Sequence, residues 1–251
     1  AGAIAKFEGR KYDYTPRNPY EERYQLQPPE LLERMRNELT LAGLESLCVF
    51  LGSLREGRKT ILFVSEGMSG TLPPGVRTTG NIINTAPTPQ SQSQMFFNST
   101  DLLGQFRQVF VAASRSNTSI YTFDPRGLAT SEFDLSDRVA AEADRQVLTE
   151  SLDSLRVIAD NTDGRPIVNR NDPFPELRRM VQDNSSYYML GYTTSVAPRD
   201  GKFHEIQVRV KRKDVEVRAR KGYWAYTAED AERASAPAKP SAPRDVMTAL
   251  D

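Results

Sequence analysis

Apolar residues recur at three- and four-residue steps through Leu32, Met35, Leu39, Leu44, Leu47, Cys48, Leu51 and Leu54, a spacing that predicts one long amphipathic helix. Its second half, SLCVFLGSL, is apolar nearly all round and is expected to be deeply packed, with Cys48 as a small buried hydrophobe. The run KTILFVS that follows, bounded by Gly57 and Gly67, is continuous and rich in branched residues, as a strand buried on both faces reads. From Met68 to Gln94 the chain is crowded with Gly, Pro, Thr, Asn and Ser and predicts a loop, of a length that tends to be functional or mobile. Leu102, Leu103, Phe106, Val109, Phe110 and Ala113 predict a second helix, and SIYTF, Ser119 to Phe123, a second strand. Leu148, Leu152, Leu155, Val157 and Ile158 mark a third helix, PIVN a third strand, and Glu176 to Asn184 a last short helix.

Helices and strands therefore alternate over residues 29–184, which predicts the α/β class: a doubly wound, mostly parallel sheet with helices on both faces. Beyond it, YYMLGYTT, FHEIQVRVK and VEVRARKGYW read as strands of a β extension over 185–226, the last two joined as a hairpin by a turn at Lys213 and Asp214. Ile206, Val208 and Val210 alternate with Gln207, Arg209 and Lys211, so one hairpin face is expected to be buried. Residues 1–28 are polar and dotted with tyrosine, and Pro16 and Pro19 predict an irregular segment without helix. Residues 227–251, rich in Ala and Pro, read as a linker. Both ends suggest a piece of a longer polypeptide.

Composition narrows the chemistry. Thirty-three basic and 33 acidic residues cancel, so no global field draws the chain to nucleic acid or an anionic membrane. Nothing approaches the run of about 18 apolar residues that spans a bilayer. One cysteine and one histidine, His204, exclude a disulfide framework and histidine-rich metal chemistry. The stretch GSLREGRKTILFVSEG, Gly52 to Gly67, departs from a phosphate-loop pattern by one residue, Arg58, inserted between Gly57 and Lys59-Thr60, but that motif also needs strand, loop, helix, and here helix precedes strand. Gly57 reads instead as the glycine ending the helix in a left-handed conformation, with Arg55, Arg58 and Lys59 complementing the negative helix end.

Ligands of open parallel sheets lie outside the carboxyl ends of the strands, which end here in Ser65-Glu66, in Asp124-Pro125-Arg126 and in Asn169-Arg170-Asn171-Asp172. These hard-oxygen groups suit Mg²⁺ or Ca²⁺ better than zinc, although the same residue types more commonly cap helices and form turns. Arg209, Lys211, Arg218 and Arg220, beside Tyr223, Trp224 and Tyr226, have the residue types of a single-strand nucleic-acid surface, but a solvated edge guarded by cations is the commoner cause.

The run TLAGLESLCVFLGSLREGRKTILFVSEG, the strand IYTFDPRGL and the stretch from LRVIADNTDGRPIVNRND through YYMLGYTT to RKGYWA together resemble the bacterial von Willebrand factor A-related domains, over roughly Pro29 to Ala225. The resemblance implies the doubly wound, Rossmann-like sheet, an exported protein found in the periplasm, on the cell surface or secreted, and a protein-binding or adhesive role. In that superfamily a divalent cation is held by D-x-S-x-S, a distant threonine and a strand-end Asp-Gly pair. Glu66, before Gly67, stands where that aspartate would be, which makes it the implied ligand for Mg²⁺ or Ca²⁺, with Ser65, Asp124 and Asn169 as further contacts at the same end. No D-x-S-x-S occurs; DLSDR at Asp134 lacks the second serine, and Thr40 falls within the long helix, so the implied cation site is incomplete: it is either completed by residues upstream of Ala1 or lost. Three functions are thus carried forward: a non-enzymatic module binding a protein partner, a structural subunit that self-assembles without metal, and a nucleotide-dependent enzyme.

Overall fold

The computed structural model describes residues 12, 15–16, 19–23, 29–54, 57–70, 89–133, 139–185, 187–188, 190–191, 198–214, 217, 219–229 and 232. In chain order the elements are α1 (Pro19–Glu22), α2 (Pro29–Leu54), β1 (Lys59–Val64), α3 (Pro89–Arg115), β2 (Thr118–Phe123), α4 (Ala141–Asn161), β3 (Pro166–Ile167), α5 (Phe174–Ser185), β4 (Phe203–Glu205) and β5 (Gly222–Trp224). The expected alternation is present, and the class is α/β.

Strands β1, β2 and β3 form one parallel sheet in sequential order, with Ile61 beside Ile120 and Phe123 beside Ile167. A reversal of strand order, the mark of a doubly wound sheet, is not found among the described residues. Side chains alternate across a strand, so Ile61 and Ile120 share a face; they join Leu41, Leu44 and Cys48 of α2, Phe106, Val109 and Ala113 of α3, and Ile158 of α4 in the core cluster. Each such leucine buried contributes about 2 kcal/mol. The opposite face meets α5, where Tyr121 Oη donates to Asp183 and Thr60 Oγ1 donates to Asn184.

The narrow pairing of β3 is supplemented from α4. Ile120 N–H donates to Thr162 Oγ1 at 3.1 Å and Thr122 N–H to Arg165 O at 3.2 Å, so the chain leaving α4 extends the sheet edge. Gly164 makes that approach possible: a Cβ there would lie 1.7 Å from Ile120 O.

Six expectations are corrected. Pro19 does not prevent a helix; it opens α1, in the first turn where a missing N–H costs nothing. Helix α3 begins at Pro89, so residues 89–94 are helical and only 71–88 of the predicted loop lie outside the described residues. Leu47, Val49 and Leu54 of α2 are exposed, because α3 and the sheet cover only one side of its apolar second half. The hairpin pairs over only three residues a side, β4 against β5, with one further bond from Ile206 N–H to Lys221 O. Val208 and Val210 are exposed, since no layer among the described residues covers the face they share. Tyr187, Tyr188, Leu190 and Gly191 of the expected YYMLGYTT strand are not in a strand, and the turn at Lys213 and Asp214 is present, with Asp214 at φ 61°.

The extension instead docks on α3. The Arg107 guanidinium lies 4.3 Å over the Trp224 ring and that of Arg115 4.5 Å over Tyr226, and Arg107 also donates to Gly201 O. Arg220 turns inward to donate to Ser114 O and Asn117 Oδ1 at the carboxyl end of α3; burial lowers its pKa, an effect that Asp163 opposes.

Two measurements check this packing. Gly164→Ala should lower unfolding stability by about 3 kcal/mol or more in urea titration, because strand backbone must move to admit the methyl group. Cys48 is fully buried, and burial, then the Glu45 charge, push its pKa up to about 11. Its protonated form is favoured by folding, so that stabilisation is complete below the unfolded value of 9.0 and is lost as pH rises toward 11. A thiol reagent at pH 8 should leave the folded chain unlabelled and label it stoichiometrically in denaturant.

Candidate functional site

The segment leaving β1 is fixed by its neighbours before it reaches any ligand. Gly67, at φ +85°, passes so close to α4 that a Cβ would lie 2.0 Å from Ser151 O. Met68 N–H donates to Ser154 Oγ at 2.8 Å, Ser69 Oγ to Glu150, and Asn37 Nδ2 of α2 to Ser69 O. Ser65 N–H continues the ladder to Phe123 O, and its hydroxyl accepts from Gly67 N–H. Ser65 therefore serves its own turn.

Strand β2 delivers Asp124 to the same end. Its backbone N–H donates to Ile167 O, and its carboxylate, fully buried, accepts the Arg126 backbone N–H in an aspartate turn. That turn brings the Arg126 side chain back over the carboxylate as a fork: Nε donates to Oδ1 at 3.0 Å and Nη2 to Oδ2 at 2.9 Å. Nη1 donates to Glu132 Oε2 at 2.8 Å, and Nη2 also reaches the backbone carbonyl of Glu66 at 2.8 Å.

One guanidinium thus joins the ends of β1 and β2 to the loop after β2. Glu132 has 1% of its side chain exposed, and its other oxygen accepts from Tyr12 Oη, whose ring lies 4.6 Å from Phe133. Asp144, in the first turn of α4, accepts the N–H groups of Glu132 and Phe133, both at 2.9 Å. Burial by itself would lower the Arg126 pKa, but the bonds to Asp124 and the charge of Glu132 outweigh it and raise it above the ordinary arginine value. Around this hub Asn171 Oδ1 accepts from Leu128 N–H, and Asn169, exposed and at φ 54°, shapes the turn after β3.

The sequence-predicted residues do meet at one end of the sheet, in altered roles. Glu66 is half-buried, and its backbone carbonyl engages the arginine. Asp124 lies beneath the surface, out of a partner's reach, whereas Asn169 lies on it. Arg126, Glu132, Asp144 and Tyr12 were not among the expected site residues. The Asp-Pro-Arg sequence at a strand end was the available signal, since an aspartate turn followed by arginine can fold back on itself.

The divalent cation implied by the sequence resemblance does not fit the residues described here. A Mg²⁺ or Ca²⁺ ion needs about six to eight oxygens, and the carboxylates of Asp124 and Glu132 already face a guanidinium. Among the described residues no three of His, Cys, Asp and Glu are grouped to hold a metal ion. Asp134 lies outside the described residues.

Elsewhere the polar candidates are structural. Lys59 Nζ donates to Ser116 O beyond the end of α3, and Arg58 pairs with Asp163 at 2.9 Å, so neither complements the end of α2 as expected; Arg55 lies outside the described residues. Gly57 has a positive φ, +115°, and lies three residues beyond the end of α2 at Leu54. Trp224 and Tyr226 each face an arginine of α3 and Arg220 is turned inward, while Arg209 and Lys211 are exposed; Arg218 lies outside the described residues. His204 stacks on Tyr223 and contacts Asp200 at 3.0 Å. Comparison with protein-family models, with curated proteins and with solved structures finds no match.

The hub makes a direct prediction. Asp124→Asn keeps the shape but turns one of the two acceptor oxygens into an NH₂ donor facing the guanidinium, so one charge-assisted bond is lost and the other weakened, which should cost about 2 kcal/mol in urea unfolding. Asn169→Ala, on the surface but at a positive φ that alanine adopts less readily than asparagine, should cost about 1 kcal/mol through its own turn.

Proposed function

We propose that the chain is a non-enzymatic protein-binding module of the von Willebrand A type, exported, whose contact face is the carboxyl end of the sheet. In this reading β1 to β3 are the sequential half of a doubly wound sheet. Supporting it above all is a pair of exposed apolar side chains, one on the loop after β2 and one at the start of α5: Leu128 is 58% exposed and Phe174 66%. The N–H of Leu128 donates to Asn171, and that of Phe174 to Asp172, so both project from backbone that is already held. Apolar groups on a pre-ordered polar rim lose little entropy when a partner covers them. The carboxylates of Asp124, Glu132 and Asp144 are spent on holding the loops, which favours a binding surface over an acid–base site. Export rests on the sequence resemblance.

A self-assembling structural subunit is the second reading. It is favoured by exposed Leu47, Val49 and Leu54 on α2 and by the outer edge of β1, which no strand among the described residues pairs.

A photo-reactive residue at position 128, compared with one at exposed Ser53 near the opposite end of β1, separates the two. The binding reading expects a discrete crosslinked protein of a different chain from position 128, lost in Phe174→Asp by about 10-fold or more while the melting temperature holds. Crosslinks from position 53 to a second copy, with dimers by sedimentation that Val49→Glu dissolves, would favour assembly instead.

A further inference from the structure

We infer that Arg126 is the built-in cation of this end of the sheet: its guanidinium neutralises Asp124 and Glu132 and orders the strand-end loops, so that the site works without Mg²⁺ or Ca²⁺. The groups involved come from three separate stretches of chain. Asp124 closes β2, Glu132 lies in the loop beyond it, and the Glu66 carbonyl ends β1, yet all three accept from one side chain within 2.8 to 3.0 Å. The acceptors of Asp124 and Glu132 are almost wholly buried, at 0% and 1% side-chain exposure, and Arg126 itself is 19% exposed. Two carboxylates so placed repel each other and require a positive charge between them.

Arginine meets that need with geometry a metal ion would not choose. Its planar fork takes both oxygens of Asp124 side by side and leaves a separate N–H for Glu132, whereas a metal ion draws its ligands into a shell. The excess negative charge is met by hydrogen bonds, from the Arg126 backbone N–H to Asp124 and from Tyr12 Oη to Glu132. A dication entering beside the guanidinium would face a like charge and find the carboxylates engaged. This inference is independent of the partner proposed above, because it concerns the chain alone.

The test is thermal unfolding of the wild-type chain in EDTA and in 5 mM Ca²⁺ or Mg²⁺, with calorimetric titration of each ion. The expected result is a melting temperature that moves by less than about 1 °C and no saturable heat. Arg126→Lys keeps a charge but not the fork, and should fold with a melting temperature a few degrees lower and the same indifference to ions. Arg126→Gln should lose about 10 °C, because removing the cation leaves two buried carboxylates unmatched. Neutralising its partners as well, in the triple variant with Asp124→Asn and Glu132→Gln, should recover several degrees, since the loss comes from unbalanced charge rather than from a missing shape. A wild-type melting temperature raised several degrees by either ion, an Arg126→Gln variant as stable as wild type, or a triple variant less stable than Arg126→Gln would each overturn the inference.

Discussion

The fork between Arg126 and Asp124 is the constraint on which the carboxyl end of the sheet depends. A buried aspartate at the end of a central strand would be costly alone, since its charge has left water without a partner. Its own turn supplies that partner two residues later. Once formed, the pair reaches outward: the same guanidinium holds the carbonyl of Glu66 and the carboxylate of Glu132, and Glu132 holds Tyr12. Loops that would otherwise each need their own ordering are ordered by one charge. Breaking such a pair by removing one partner typically costs about 3–5 kcal/mol, because the other is left buried and unmatched.

The remaining contacts place that hub. Gly67 lets the segment after β1 lie against the backbone of α4, and Ser154, Glu150 and Asn37 anchor the residues beyond it. At the other end of the sheet the arrangement is also arginine-based, but its purpose is docking: Arg107, Arg115 and Arg220 fasten the β extension to α3. The two ends differ in what they leave to solvent. The docking end pairs Trp224 and Tyr226 with arginines and leaves Val208 and Val210 on backbone outside the short strand pairing, while the hub end leaves Leu128 and Phe174 on backbone that is tied. That contrast is why the hub end is the favoured contact face.

Periodicity made the α/β core legible, because Leu32 to Leu54, KTILFVS and SIYTF each carry many residues that agree on one element. It misled where packing depends on neighbours. The apolar second half of α2 reads as deeply packed, but a helix has only as many covered sides as there are elements to cover them, and Leu47, Val49 and Leu54 remain exposed. The hairpin alternation around Val208 has the same history. Strand-end reasoning brought Ser65, Glu66, Asp124 and Asn169 to one end correctly, yet it could not assign their roles. Glu66 acts on Arg126 through a backbone carbonyl, which no residue type encodes, and Glu132 joins Asp124 only through a fold-back that spacing does not display.

The central claim, that an arginine and no metal ion organises this end, is tested most directly by a crystal structure of the chain grown with Mn²⁺, recorded to reveal anomalous scattering. The account predicts the Arg126 guanidinium lying between Asp124 and Glu132 with no anomalous peak beside them. An Mn²⁺ peak coordinated by Asp124 or Glu66, with the arginine swung out into solvent, would contradict it.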